Sequence, residues 1–321
     1  LNHDETFRLM TTGISPWLVA PIRLNHPMTA PAPIIAGIDF SAASPAVLRQ
    51  AVHAAGLHGA LVIAVHVLDS GSLAHRAASG GANPGGDLLL AQTRRKLEAL
   101  VDAEAPGGGI RVEVRAGAPA EELQRLVQET GASMLVIAAN DLTKKRLGSI
   151  ASRCVRSAPC DVMVIRDWQE GNFSKIVVCT DFSPSSARAL ERGISLAAEQ
   201  AARLEIVHVM YPPSRDIWGE VLEHAADSPL TYAEECRADA DRNMQRFLAP
   251  HAAALAEIEH HPVILESISS SMALTHHVQD SGADLVVLGT RGHSKLSSFF
   301  LGTNAERLLH DATVSVLAVR I

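Results

Sequence analysis

The chain repeats itself, and that constrains its fold more than any other feature. PIIAGIDFSAASPAVLRQAV, beginning at Pro33, lies over KIVVCTDFSPSSARALERGI, beginning at Lys175. Asp39 matches Asp181, Phe40 matches Phe182, Ser41 matches Ser183, Ser44 matches Ser186 and Leu48 matches Leu190, all at an offset of 142. His66 falls on His208 at the same offset; it becomes 151 where GASMLVIAA at Gly131 meets GADLVVLGT at Gly282. Two duplicates joined by loops of unequal length must each build the same architecture. A chain of 321 residues gives each of them enough length to bury a core.

Each copy alternates short apolar runs with helical periodicity. The expected strands of the first copy are Ile34–Ile38, Leu61–Val67, Arg111–Arg115, Met134–Ala138 and Val162–Ile165. Those of the second are Ile176–Cys179, Leu204–Val209, Pro262–Glu266, Leu285–Leu288 and Val314–Val319. Helices are expected between them, including Leu88–Ala103, Tyr232–Leu255 and Asn304–His310, and the Ser of Asp-Phe-Ser can cap the first helix of each copy. Apolar strands separated by helices read as parallel sheets covered on both faces, so the fold class is α/β, with two tandem doubly wound five-stranded domains. The expected boundaries are a mobile tail over 1–32, a first domain over 33–166, a linker over 167–174 and a second domain over 175–321. The tail has a short apolar stretch broken by Pro16 and Pro21 and makes a poor signal peptide; with leucine at position 1, Met28 is a candidate start.

Composition narrows the function classes. The 47% hydrophobic and 20% charged residues are those of a globular protein, and a net charge of -7 argues against nucleic acid or an anionic membrane as partner. No apolar run approaches the roughly 20 residues needed to span a bilayer. Four cysteines (Cys154, Cys160, Cys179 and Cys236) without CxxC spacing fit a reducing cytoplasm.

In an open doubly wound sheet, ligands bind beyond the carboxyl ends of the strands, where strand order reverses. The second copy places Asp181 after its first strand and GTRGHSKLSSFFLGT, residues 289–303, after its fourth. Gly289 and Gly292 would let main chain approach a bulky ligand, and Gly302-Thr303 opens a helix whose free N–H groups suit an anion. The constellation reads as a triphosphate cradle with Asp181 accepting from ribose or base; the plainer reading makes the glycines turns and Asp181 an N-cap. It is neither a Walker A sequence nor GxGxxG. The first copy reads AANDLTKKRLGS instead: Ala138 and Asp141 replace Gly289 and Gly292, and the loop is three residues shorter, although Asp39 and Gly148-Ser149 remain. An aspartate beside phosphates would repel them, with Lys144, Lys145 and Arg146 as partial compensation.

The passages VCTDFSPSS, LEIVHVM and GTRGHSKLSSFFLGT resemble the universal stress protein family, whose ATP-binding members share Gly-x2-Gly-x9-Gly-Ser/Thr after the fourth strand. The resemblance spans Ile34 to Arg166 and Lys175 to Ile321 and implies a tandem member of adenine nucleotide alpha hydrolase-like fold. It implies that Thr180 and Asp181 lie by the nucleoside, that Val209 meets adenine through main chain, and that Leu288 borders the same pocket. Gly289, Gly292, Gly302, Thr303 and Asn304 would hold ribose and phosphates, with ATP, accompanied by magnesium, as the cofactor. The family commonly pairs through its last strands, so the fifth strands of the two copies are expected to join as an intramolecular pseudo-dimer related by a pseudo-twofold axis. Further assembly into a homodimer is compatible with that.

Fifteen histidines invite a metal reading, but the adjacent pairs His260-His261 and His276-His277 point apart and neither is a ready chelate. His66 and His208 recur within strands and are expected to be structural; His293 and Lys295 either touch phosphate or stand in solvent. Phosphoryl transfer needs a metal and a positioned nucleophile, and beyond Asp181, which could hold a divalent ion, no base is evident. The leading expectation is a cytoplasmic stress-response protein that binds ATP in its C-terminal domain and acts as a regulator or adaptor towards an unknown protein partner. A nucleotide-free adaptor and a slow ATPase are the alternatives.

Overall fold

Ten strands join into one sheet, in the order β3-β2-β1-β4-β5-β10-β9-β6-β7-β8. The structure is a computed structural model that describes residues 31–69, 85–139, 147–166, 172–211, 229–290 and 302–321. The first copy runs β1 (Ile34–Gly37), α1 (Ser44–His58), β2 (Val62–Asp69), α2 (Gly85–Glu104), β3 (Arg111–Gly117), α3 (Pro119–Thr130), β4 (Met134–Ala138), α4 (Ser149–Ser157) and β5 (Asp161–Ile165). The second runs β6 (Lys175–Thr180), α5 (Pro184–Gln200), β7 (Arg203–Met210), α6 (Pro229–Leu248), α7 (Ala252–Leu255), β8 (His260–Glu266), α8 (Ser270–Ser281), β9 (Leu285–Gly289), α9 (Thr303–Asp311) and β10 (Ser315–Val319). Within each copy the strand order is 3-2-1-4-5 and every pairing is parallel. The registers repeat as well: Ile35 pairs with Leu135, and at the duplicated positions Val177 pairs with Val286.

Alternation along the strands feeds two core layers, which is why the strand sequences are apolar throughout. One layer holds Met134, Val136, Met163, Leu285, Val287 and Leu317 with residues of α1 and α5. The other holds Leu135, Ile137, Val164, Val286, Leu288 and Val316 with residues of α3, α4, α8 and α9.

The copies meet at β5 and β10, which pair antiparallel with Val164 opposite Val316, Met163 opposite Leu317 and Val162 opposite Ala318. Each end of this seam is closed by a side chain. Arg320 N–H donates to Asp161 Oδ1 (2.9 Å) at one end, and Arg166 N–H donates to Ser315 Oγ (3.2 Å) at the other. Arg166 also crosses the seam to donate to the Leu309 carbonyl (3.1 Å), one of the orphan acceptors at the end of α9. The expected pairing of the last strands within one chain is therefore observed.

Two expectations need correction. The helix expected over Tyr232–Leu255 is interrupted: α6 stops at Leu248, a 3₁₀ turn follows at Ala249–His251, and α7 is a separate piece. Pro250 lies at the break, where its missing N–H and its ring oppose continuation. The serine cap forms only in the second copy, where Ser183 Oγ accepts from Ser186 N–H (3.2 Å). In the first copy the cap position is Ala43, without a side-chain bond. Proline stands in the first turn of both helices, but Pro45 and Pro184 are not duplicated positions, and α1 starts two residues later than α5 relative to the repeat.

Among the described residues no helix is long and apolar enough to cross a membrane. All four cysteines are free. The tail over 1–30, the loop 140–146 with Asp141, Lys144, Lys145 and Arg146, most of the linker, and the loop 291–301 with Gly292, His293 and Lys295 lie outside the described residues.

Candidate functional site

The Asp-Phe-Ser turn has the same construction in both copies. Asp39 Oδ1 accepts from Ser41 N–H (2.9 Å), and Asp181 Oδ1 accepts from Ser183 N–H (3.0 Å). The turn drives Phe40 and Phe182 to φ of 59° and 62°, a left-handed conformation that costs a bulky residue about 1–2 kcal/mol. A ring contact opposes that cost: Phe40 lies 4.5 Å from His66 and Phe182 lies 4.1 Å from His208, centroid to centroid. Each histidine is fixed through Nδ1, to the carbonyl of Ile38 (2.6 Å) or of Thr180 (2.9 Å). A carbonyl can only accept, so Nδ1 carries the proton and donates. The repeated histidines thus brace the turn that ends the first strand of each copy.

Beyond this turn lies a cavity of about 260 Å³ at the switch point of the second copy. β6 and β9 are neighbours, with Cys179 paired to Leu288, so the residues that follow them face one crevice. Thr180, Asp181, Val209, Leu288, Gly289, Gly302, Thr303 and Asn304 all line it. Eight of the nine residues expected to contact a nucleotide are thereby brought together from β6, β7, β9 and the start of α9; the ninth, Gly292, is not described. Thr180 Oγ1 donates to Ser186 Oγ (3.0 Å) and accepts from Phe182 N–H (2.9 Å), so it ties the strand end to α5. Thr290 and Gly302 close the base of the 291–301 loop, where Gly302 N–H donates to the Thr290 carbonyl (3.3 Å). Thr303 and Asn304 are exposed at the first turn of α9, where main-chain N–H groups lack partners within the helix.

Gly289, which lines the cavity, also has a packing reason. A Cβ there would lie 2.4 Å from Ser185 Oγ and 2.8 Å from the Ser185 carbonyl, so the missing side chain admits α5. Ala138 is tolerated at the duplicated position of the first copy, where Ser185 is matched by Ala43, still outside the later-starting α1. Sequence reading also missed Ser186, Ser270, Leu274 and Leu308 in the lining. Only Ser186 carried a signal, its recurrence as Ser44.

The equivalent crevice of the first copy is about 90 Å³. Ile38 stands where Thr180 stands, Ile150 where Asn304 stands, and Pro119 where Ser270 stands. The frame, with Asp39 or Asp181 and His66 or His208, is therefore common to both copies, and the hydroxyl and amide lining of Thr180, Ser186, Ser270, Thr303 and Asn304 belongs to the second.

Burial pushes the Cys179 thiol up to about 12, which keeps it protonated and unreactive. Burial also holds His208 below the ordinary histidine value, against the opposing effects of its bond to Thr180 and the nearby Asp181 charge. Asp181 is the only carboxylate among the described lining residues, and no cluster of metal-ligating side chains occurs among the described residues.

Comparison with known proteins agrees with this architecture. A protein 25% identical over 308 residues, described as a universal stress protein of Mycolicibacterium smegmatis, matches 89% of this chain and 96% of its own length. Universal stress protein A homolog 1 of Coxiella burnetii is 30% identical over 155 residues, which is 46% of this chain and 96% of that protein. The crystal structure of a universal stress protein from Archaeoglobus fulgidus superposes with a TM-score of 0.62 at 19% identity, over 89% of this chain and 95% of that one, a likeness of fold. The model of the universal stress protein family matches twice, at residues 32–166 and 172–320. The duplicated α/β chain described above belongs to the universal stress protein family, as a tandem of two copies.

Proposed function

We propose that the second copy binds one adenine nucleotide, ATP with magnesium, and that its occupancy regulates a protein partner in the cytoplasm. The first copy is then a degenerate domain that serves as the permanent partner of the second, with the domains divided at the 167–174 linker. The observation that supports this reading is the contrast between duplicated crevices. Thr180, Asp181, Thr303 and Asn304 converge on a cavity of about 260 Å³, where the first copy has about 90 Å³ and isoleucines at two of the matching positions. A ribose meets a carboxylate there, and phosphates meet the N-terminus of α9. The single carboxylate, Asp181, and the first turn of α9 are the described groups the reading assigns to holding the nucleotide. An adaptor that works without nucleotide is the second reading; Tyr211, Ile268 and Met272, 50%, 72% and 58% exposed around the β7–β8 end of the crevice, favour it.

The test is to denature the purified chain and identify released small molecules by mass spectrometry, alongside titration with ATP and magnesium. Adenine nucleotide should be released, or ATP should bind, and Asp181→Ala should weaken binding at least about tenfold with the fold intact. A chain that releases no nucleotide and takes up none would leave the adaptor reading standing.

A further inference from the structure

A second cavity, of about 490 Å³, opens at the other end of the molecule's central seam. It lies where β1, β4 and β5 begin and β10 ends, between α1 and α5. One side is apolar, formed by Ile34, Ala54, Met134 and Leu196. The other is ionic, with Arg188, Arg192 and Arg320 against Asp161 and Glu199.

The duplication separates scaffold from ornament here. Arg320 has its counterpart in Arg166, and both do seam work. Arg188, Arg192 and Asp161 have none: the matching positions are Ala46, Gln50 and Ser315. The fold closes the same seam at its other end with a serine, so it does not require this ionic set. The entry of the chain into the sheet differs too. Phe173 turns its ring into the core of the second copy, 2% exposed, with its N–H on Gln200 Oε1 (2.7 Å). The duplicated position is Pro31, which is exposed.

Two of the arginines, Arg192 and Arg188, have donating capacity left over. Arg192 Nε forms an ion pair with Asp161 Oδ2 at 3.1 Å, outside the geometry of a well-aligned hydrogen bond. Arg188 makes no hydrogen bond or ion pair among the described residues and meets Asp161 only through longer-range attraction. Burial nonetheless raises the Asp161 carboxyl above its ordinary value, ahead of the lowering by the Arg320 N–H, Arg192 and Arg188. Guanidinium groups with donors to spare, opening on an apolar wall, present the complement of an oxyanion attached to a hydrocarbon body.

We propose that this cavity is a second ligand site, for a small organic anion whose carboxylate or phosphate meets Arg188 and Arg192 while its apolar body lies against Ile34, Ala54, Met134 and Leu196. The site is separate from the crevice at the ends of β6 and β9, and its ligand would bridge the two copies. Calorimetric titration of the full chain with octanoate, phenyl phosphate and inorganic phosphate tests it. The organic anions should bind saturably and more tightly than inorganic phosphate. Arg188→Gln, at an exposed position, should weaken them at least about tenfold with an unchanged thermal midpoint. Ala54→Leu, which copies Leu196 at the matching position, should fill the cavity and exclude the apolar body. The proposal is overturned if neither organic anion binds saturably, if both variants bind as the natural chain does, or if inorganic phosphate binds as tightly as phenyl phosphate.

Discussion

At the scale of single residues, the duplication acts as an internal control. Asp39 and Asp181, Phe40 and Phe182, and His66 and His208 recur because each trio holds a left-handed turn in place. Recurrence alone therefore marks Asp181 as scaffold; its placement in a polar cavity adds the binding role proposed for it. Gly289 shows the opposite case. Its motif position suggests close approach to a ligand, and its missing Cβ also admits the Ser185 backbone. Gly289→Ala should therefore destabilise the protein even without ligand, by about 1–3 kcal/mol, because the obstructing atoms belong to a helix backbone. Urea unfolding of the ligand-free chain measures this. An unchanged midpoint would show that α5 yields freely, and would return the glycine to the ligand.

At the scale of elements, the seam between β5 and β10 rests on burial and the strand ladder. Leu317 is fully buried opposite Met163, whereas Arg156 and Glu306, which link α4 to α9 across the copies at 2.9 Å, are 43% and 49% exposed. Leu317→Ala should cost about 2–5 kcal/mol. Glu306→Gln should cost less than about 1 kcal/mol, because solvent screens the pair and its entropy is lost on forming. Chemical denaturation of both variants checks the ranking; equal costs would mean that surface charge holds the copies together. The strands were legible because every central strand is buried on both faces, so that periodicity and apolar content agreed. The helix break at Pro250 and the early start of β8 were less so, since alanine-rich sequence hides a terminus and His260-His261 is polar for a strand. The start of α5 lies against Gly289 through Ser185, a close approach that local sequence does not display.

For the whole molecule, the tandem arrangement turns a repeated fold into an asymmetric one. Eight of the proposed contacts could be read from the motif and were found around one cavity, because a switch point brings strand ends together whatever their separation in sequence. The lining from Ser270, Leu274 and Leu308 was not legible, since an apolar helical stripe looks the same whether it faces core or ligand. The central claim is that only the second copy binds nucleotide. Calorimetric titration with ATP and magnesium should give one site per chain, with Gly292→Asp removing it, Asp181→Ala weakening it at least about tenfold and Asp39→Ala leaving it unchanged. Two sites per chain, or a single site lost on Asp39→Ala and of unchanged affinity on Asp181→Ala, would contradict the account.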